Sequence, residues 1–339
     1  MKKSLLSIAF LGLLTSLSTL SLVVMPSSAN ATPSPDAHAP IGVMGDHNHK
    51  QGEWMTSYRY SSMQMKGNRN GDRDVSTADV LNNFMVAPTK MTMEMHMFGL
   101  MYGVSDELTL MGMLPYTSIS MDHVNRMVVN FTTETRGVGD AKLSGIYTLS
   151  ENGDRKILLN AGISLPTGSI DERDDTPAGA NQILPYGMQL GSGTYDLLPG
   201  ITYTDKQGDW SWGSQASAVL RLGDNDNNYT LGNQYGLSAW GGHKLSNSAS
   251  VSLRLDGKAW GDIDGTDSRL NPMMVPTART DLRGGERIDL LVGFNYIQPD
   301  GALEGNRLAI EAGMPIYQNL DGPQLETDYR LMVGWQLAF

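Results

Sequence analysis

The chain contains no cysteine in 339 residues, which excludes a disulfide framework and any thiolate metal site. After residue 24 it has no long apolar run, so no transmembrane helix is expected beyond the N-terminus. Cations are scarce: 25 Lys and Arg against 36 Asp and Glu leave a net charge of −11, which argues against nucleic acid as a partner. Two residue types are plentiful instead. The 38 glycines suit tight turns and strand bends more than helices, and 21 methionines are an excess whose placement matters more than their number.

The first residues have the pattern of an export signal. Lys2 and Lys3 precede an apolar run from Leu5 to Val24, and Ala29-Asn30-Ala31 supplies a small-x-small cleavage site. Residues 1–31 are read as a removed signal peptide, a retained helical anchor being the alternative. Residues 32–52 are read as a flexible, His-containing periplasmic segment, and 53–339 as the folded domain. Only helices and closed sheets can span a bilayer, because lipid-exposed backbone must be hydrogen-bonded within the protein. With helices excluded, a barrel remains.

The last strand supports it. Tyr329, Leu331, Val333, Trp335, Leu337 and Phe339 share one face, opposite Arg330, Met332, Gly334, Gln336 and Ala338. An apolar face closed by aromatics, opposite a polar one, suits lipid on one side and water on the other. A period of two gives twelve strands, at about 53–66, 92–104, 108–121, 139–150, 156–166, 194–204, 209–222, 233–245, 249–262, 287–298, 306–317 and 327–339. Short connections follow the even strands, such as Ser105-Asp106-Glu107 and Ser246-Asn247-Ser248. Long ones follow the odd strands: 67–91, 122–138, 167–193, 223–232, 263–286 and 318–326. Short periplasmic turns and long outer loops are the pattern of outer-membrane barrels, and a soluble sandwich does not explain it. The fold class is therefore all-β: a transmembrane antiparallel up-and-down β-barrel of twelve strands, both termini periplasmic, in the outer membrane of a Gram-negative bacterium. The short apolar run Val80 to Val86 leaves the strand count open by two.

Phasing each strand assigns the lumen. Arg59, Asp196, Arg221, Arg254, Asp256, Lys258, Asp289, Glu311 and Arg330 point inward, so the interior is polar and of mixed sign. A narrow or blocked pore fits this as well as an open one.

The first three strands give a different lining. With Trp54, Tyr58, Phe98, Leu100, Leu110 and Leu114 outward, ten methionines face inward: Met55, Met63, Met65, Met93, Met95, Met97, Met101, Met111, Met113 and Met121. Thioether sulfur is a soft, uncharged ligand for Cu(I) and Ag(I), and repeated weak sites along a path are what conduction requires. His47 and His49, in Asp46-His47-Asn48-His49, could add imidazole ligands for Cu(II) or Zn(II). Methionine is also a flexible apolar filler, so the plainer reading of the wall is apolar lining or packing, and of His47 and His49 solvated polar residues in a flexible tail. The inverted phase of the second strand would turn Met91 to Met97 to lipid, with Glu94 and His96 facing water.

Other signals are weaker. Gly137-Val-Gly-Asp140 has no following helix and reads as a strand-entry bend, not a phosphate loop. Ser120, Asp122 and His123 lack a nucleophile elbow around them. Acidic stretches such as Asp171-Glu172-Arg173-Asp174-Asp175 read as solvated loop, with divalent cations at a lipopolysaccharide surface as the minority reading. The loop 167–193 is long enough to fold into the mouth, and Leu184-Pro185-Tyr186-Gly187-Met188 gives it an apolar tip.

Leu100-Met-Tyr-Gly-Val-Ser-Asp-Glu-Leu-Thr-Leu110 with Leu114-Pro-Tyr116, Gly137-Val-Gly-Asp-Ala-Lys-Leu143, Leu165-Pro-Thr-Gly168 and Leu198-Pro-Gly-Ile-Thr-Tyr203 give the chain a resemblance. It resembles the outer-membrane channel family of the meta-pathway of phenol degradation, across the whole mature chain. The resemblance implies a barrel, an outer-membrane location and a route for aromatic or other small apolar compounds. It carries no catalytic residues, and the Met- and His-rich first third departs from what an aromatic channel needs. The expected function is a channel for a small solute, a soft metal ion such as copper or else an apolar compound. A closed structural barrel and an outer-membrane lipase or protease are the further alternatives. No cofactor is required. Expected partners are outer-membrane lipid and lipopolysaccharide, with periplasmic chaperones and the barrel-assembly machinery engaging the strand that ends at Phe339.

Overall fold

The structure, a computed structural model, describes residues 34–36 and 38–339. The expected signal peptide, residues 1–31, lies outside the described residues.

Twelve spans close into one antiparallel barrel. They are β1 (Trp54–Gly71), β2 (Val86–Gly103), β3 (Leu108–Asn125), β4 (Ala141–Asn152), β5 (Arg155–Leu165), β6 (Gly200–Gln207), β7 (Trp210–Leu222), β8 (Gln234–Lys244), β9 (Ala249–Trp260) and β10 (Gly285–Ile297), followed by one continuous element, Arg307–Ala338, that reverses on itself. Its first limb, residues 307–320, pairs with β10, and the second, residues 324–338, pairs with β1; they are labelled β11 and β12. Each strand pairs with its chain neighbours, and the β1–β12 ladder, from Met55 opposite Ala338 upward, closes the ring. Closure pairs every one of the twelve strands on both sides, so the ring itself has no first or last strand. Trp54 and Phe339 exchange both backbone hydrogen bonds, at 2.9 and 2.8 Å, so the two ends of the barrel sequence meet at the end of the short turns.

The period of two sorts the faces as expected. Phe98, Leu100, Leu110, Leu114, Leu253 and Val292 are exposed on the outside, while Met101, Met111, Arg254 and Asp289 on the same strands are buried. The inverted phase of the second strand is excluded. Glu94 and His96 lie on the outer face, where the hydroxyls of Tyr60 and Tyr58 on β1 meet them.

The long connections are more structured than a period-two reading shows. The Val80 to Val86 run is not a strand pair. Ser76 caps a short helix, α1 (Thr77–Asn83), accepting from the Asp79 N–H at 3.1 Å, and Val80 packs on Phe84 and Ala87. In the connection 122–138, Asn130–Val138 pairs with β3 as a strand above the barrel. The connection expected at 318–326 is instead a tight reversal, because both limbs continue their ladders nearly to it.

Candidate functional site: a lumen with two walls and a plug

On the first wall, β12, β1, β2 and β3 run side by side, and register sets their inward residues in rows. From the short-turn end these are Ala338, Met55, Met101 and Met111; Gln336, Ser57, Gly99 and Met113; Gly334, Arg59, Met97 and Pro115. Above them come Met332, Ser61, Met95 and Thr117; Arg330, Met63, Met93 and Ile119; and Thr327, Met65, Met91 and Met121. Every row holds a thioether, and successive rows are about 7 Å apart along the strand. The strands β1 to β3 turn eleven methionines inward, Met91 being one more than the sequence phasing assigned, and β12 adds Met332.

Two apolar clusters bracket the lane. Met55, Met101 and Met111 pack with Ile146 and Leu158 at the short-turn end. Met91, Met121 and Ile119 pack with Leu184 and Met188 at the loop end. The tip of loop 167–193 thus folds into the mouth, as its apolar sequence suggested, and Thr135 Oγ1 donates to the Met188 carbonyl at 2.9 Å.

The adjoining wall, β9 to β11, is ionic and paired through its carboxylates. Arg254 holds Glu311 in a fork, Nε to Oε1 and Nη2 to Oε2 both at 2.8 Å, and also lies 3.2 Å from Asp256. Arg330 bridges Asp256, at 2.9 Å, and Asp289, and Arg287 lies 3.0 Å from Asp289. Arg221 pairs with Asp196. All nine charges expected to line the lumen are on inward positions. Arg59 is the one of these on β1 to β3, and Lys258 remains exposed.

The N-terminal segment is the principal correction. It was expected to be a flexible periplasmic tail, and it instead crosses the lumen at the short-turn end. Ser250 donates to the Pro35 carbonyl at 2.9 Å, Lys206 pairs with Asp36 at 2.7 Å, and Arg307 donates to the Ala39 carbonyl at 3.0 Å. Gln215 donates to the Met44 carbonyl and Asn160 to that of Gly45, at 2.7 and 3.1 Å; the His49 N–H donates to Thr109 at 2.7 Å. Ile41 and Val43 are buried, Val43 against Trp240. The physical reason is satisfaction: inward Arg, Gln, Asn and Ser side chains need partners, and an irregular backbone offers carbonyls. Close approach needs glycine at two places. A side chain at Gly42 would run into the Arg254–Glu311 fork, 2.3 Å away, and one at Gly334 would meet Ile41 at 2.6 Å.

Within the plug, His47 lies with His38 and Asp46. The Nδ1 atoms of His38 and His47 are 3.1 Å apart, His47 Nδ1 is 2.9 Å from Asp46 Oδ1, and His38 Nδ1 is 3.8 Å from Asp46 Oδ2. His49 is adjacent, its ring 5.0 Å from that of His47 and its Nδ1 3.3 Å from Glu53. Burial, with His47 and Arg307 nearby, pushes the His38 imidazole well below its ordinary pKa, and burial also lowers His47 despite Asp46. Burial works against ionisation of Asp46, but His47, His38 and Arg307 more than offset it, so its carboxyl sits below the usual range. Two imidazoles and a carboxyl group therefore converge. The sequence pointed to His47 and His49; His38, nine residues away, joins them only because the chain turns at Pro40, whose carbonyl accepts from Val43 N–H at 2.8 Å.

The hydrolase-like residues do not assemble. Asp122 and His123 are consecutive in β3 and point to opposite faces; His123 stacks on Phe131, and Asp122 accepts from Thr132 at 2.7 Å.

A closed twelve-stranded barrel with a lined lumen and an inserted N-terminal plug is of the outer-membrane channel type. The chain belongs to the family described as "Putative MetA-pathway of phenol degradation", which matches residues 68–280. Among solved structures it is similar to an outer-membrane channel from Pseudomonas putida F1, with 19% identity, a TM-score of 0.64, and coverage of 87% of this chain and 98% of that one. More distant is the transport unit of the autotransporter AIDA-I from Escherichia coli, with 10% identity, a TM-score of 0.46, and 88% and 93% coverage. So is a TodX mutant monoaromatic hydrocarbon channel, with 9% identity, a TM-score of 0.41, and 86% and 90% coverage. No curated protein matches the chain.

Proposed function

We propose that the protein is an outer-membrane channel that passes a soft metal ion of the Cu(I) class along the methionine lane. One observation carries this. The strands β1 to β3 need apolar side chains on both faces and divide them by chemistry. The outer face takes Phe98, Leu100, Leu110 and Leu114 and no methionine, while the inner face takes eleven methionines, with Ile119 and Pro115 as the other large apolar residues. A lane that needed only grease could be built from the leucine used outside. Thioethers in every row provide a series of weak, exchangeable ligands, and a soft cation can pass from row to row without binding too tightly to leave. The ionic wall does not compete, since its carboxylates are held by arginines. The barrel would sit in lipid and lipopolysaccharide, with the strand ending at Phe339 as the segment that assembly factors engage.

The test replaces Met63, Met93, Met95 and Met97 with leucine, which keeps volume and removes sulfur. Loss of Ag(I) and Cu(I) binding by the folded barrel, together with altered copper tolerance of cells, is the expected result; unchanged binding and tolerance would overturn the reading.

A second reading has the lane as a slide for aromatic or other small apolar compounds. The apolar clusters at both ends of the lane and the family's description favour it. Leucine replacement should then leave uptake of a monoaromatic compound unchanged.

A further inference from the structure

We infer that the plug is a metal latch: His38, Asp46 and His47 hold one borderline divalent cation, of the Zn(II), Ni(II) or Cu(II) class, and the bound ion keeps residues 38–47 folded across the lumen. The inference rests on the barrel being a channel but not on soft metal being its cargo.

The three ligand atoms can be drawn within 4.8 Å of one another, and Asp46 is nearly enclosed. Two nitrogens on one tetrahedral zinc stand roughly 3.3 Å apart, given bonds of about 2.0–2.1 Å, and His38 and His47 present theirs at 3.1 Å. Hydrogen bonding alone serves this geometry poorly. A single proton on His47 Nδ1 would have to satisfy both His38 Nδ1 and Asp46 Oδ1, whereas one cation engages all three lone pairs. The Nε2 atom of His49 is also buried without a partner, so a turn of that ring offers a fourth ligand. Imidazole with carboxylate suits borderline divalent ions, in contrast to the thioethers of the lane.

The ligands lie at the two ends of one loop. Between them run Ile41 against Gly334, Gly42 against the Arg254–Glu311 fork and Val43 against Trp240, which are the contacts that seat the plug. Without an ion the ends are tied only by hydrogen-bond-scale contacts, Asp46 accepting from the Ala39 N–H at 2.8 Å and His38 Nδ1 meeting His47 Nδ1 at 3.1 Å. An ion bound at 38, 46 and 47 closes that loop and keeps those contacts in place; its removal frees residues 38–47 to leave the lumen.

The experiment uses the full folded barrel titrated with Zn(II) and Ni(II), with conductance in planar bilayers recorded in Zn(II) and then in chelator. One ion per chain should bind, and conductance should rise on chelation and fall when Zn(II) returns. The H38N/H47N variant should lose binding and conduct at the high level throughout, while H243N, remote from the plug, behaves as wild type; heat-modifiable gel mobility confirms that each is folded. Absence of binding, binding retained by H38N/H47N, or binding without a conductance change would each overturn the latch. The variant with leucine at Met63, Met93, Met95 and Met97 should keep its Zn(II) response whatever its Ag(I) binding, which separates failure of the latch from failure of the lane.

Discussion

The two walls of the lumen are built on the same barrel and solve opposite problems. On β9 to β11 the inward face carries charge, and its carboxylates are each held by arginine: Glu311 by Arg254, Asp256 by Arg254 and Arg330, Asp289 by Arg287 and Arg330. On β1 to β3 the inward side chains are methionines, which need no partner and impose no direction on one another. The ionic wall is therefore rigid and self-satisfied, and it serves as the surface on which the plug is seated. The methionine wall is adaptable, and of its sulfurs that of Met63 accepts from Arg287 and Thr327, at 3.8 and 3.9 Å. On the proposed function, structure and transport are divided between two walls of one lumen, so substitutions should separate them.

The largest effect on stability is expected from Glu311→Ala. It takes the forked partner from Arg254, which is 3% exposed, and leaves this buried cation beneath Gly42 with Asp256 alone, itself shared with Arg330. Removing one partner of such a pair costs about 3–5 kcal/mol. The urea midpoint of the barrel in micelles should fall accordingly, with increased amide exchange at residues 39–45. Replacing Arg254 and Glu311 together with methionine should recover most of this, because an apolar pair of similar volume is often neutral in place of a buried ion pair. A double variant no more stable than Glu311→Ala would show that the ionic wall is more than self-satisfied.

Changing Met63, Met93, Met95 and Met97 to leucine should do the reverse. Volume-conserving apolar exchanges cost less than about 1.5 kcal/mol each, and these positions are only half-buried. Unfolding should shift little while soft-metal binding is lost. A large loss of stability would place the methionines with the packing residues and remove the contrast between the walls.

The barrel was legible because its determinants are local. A period of two, the aromatic end at Phe339 and the alternation of short and long connections each constrain one stretch of chain. Inward charges such as Asp289 and Glu311 followed from phase alone. The phase of β2 was ambiguous for a physical reason: Glu94 and His96 sit on the outer face, where a charge pattern does not put them, and only the register with β1 brings Tyr60 and Tyr58 to meet them. The plug was not legible at all. Its sequence, Ala39-Pro-Ile-Gly-Val-Met-Gly-Asp46, is short, has no period, and is held by contacts to strands as far away as Arg307. Ile41 and Val43 were the available signal, two β-branched apolar residues inside a segment otherwise read as solvated.

The smallest expected effects probe how the plug is held without touching either wall's chemistry. Gly334→Val fills the space taken by Ile41, since a Cβ there lies 2.6 Å from the Ile41 side chain, yet it leaves every ion pair and every methionine in place. The plug should shift, read as faster amide exchange at residues 40–44, while exchange in β9 to β11 is unchanged. Lys206→Met removes the partner of Asp36 at the outer end of the segment. Lys206 is 28% exposed while the Asp36 side chain is 1% exposed, so the loss should lie between the about 0.2–1 kcal/mol of a screened surface pair and the about 3–5 kcal/mol of a fully buried one. Exchange should rise at residues 34–36 and no further along the chain, because Ser250, Arg307 and Gln215 hold the backbone beyond it independently. If the whole plug loosens together in Lys206→Met, its contacts act cooperatively, and the ionic wall cannot be treated as a seat separate from the segment it holds.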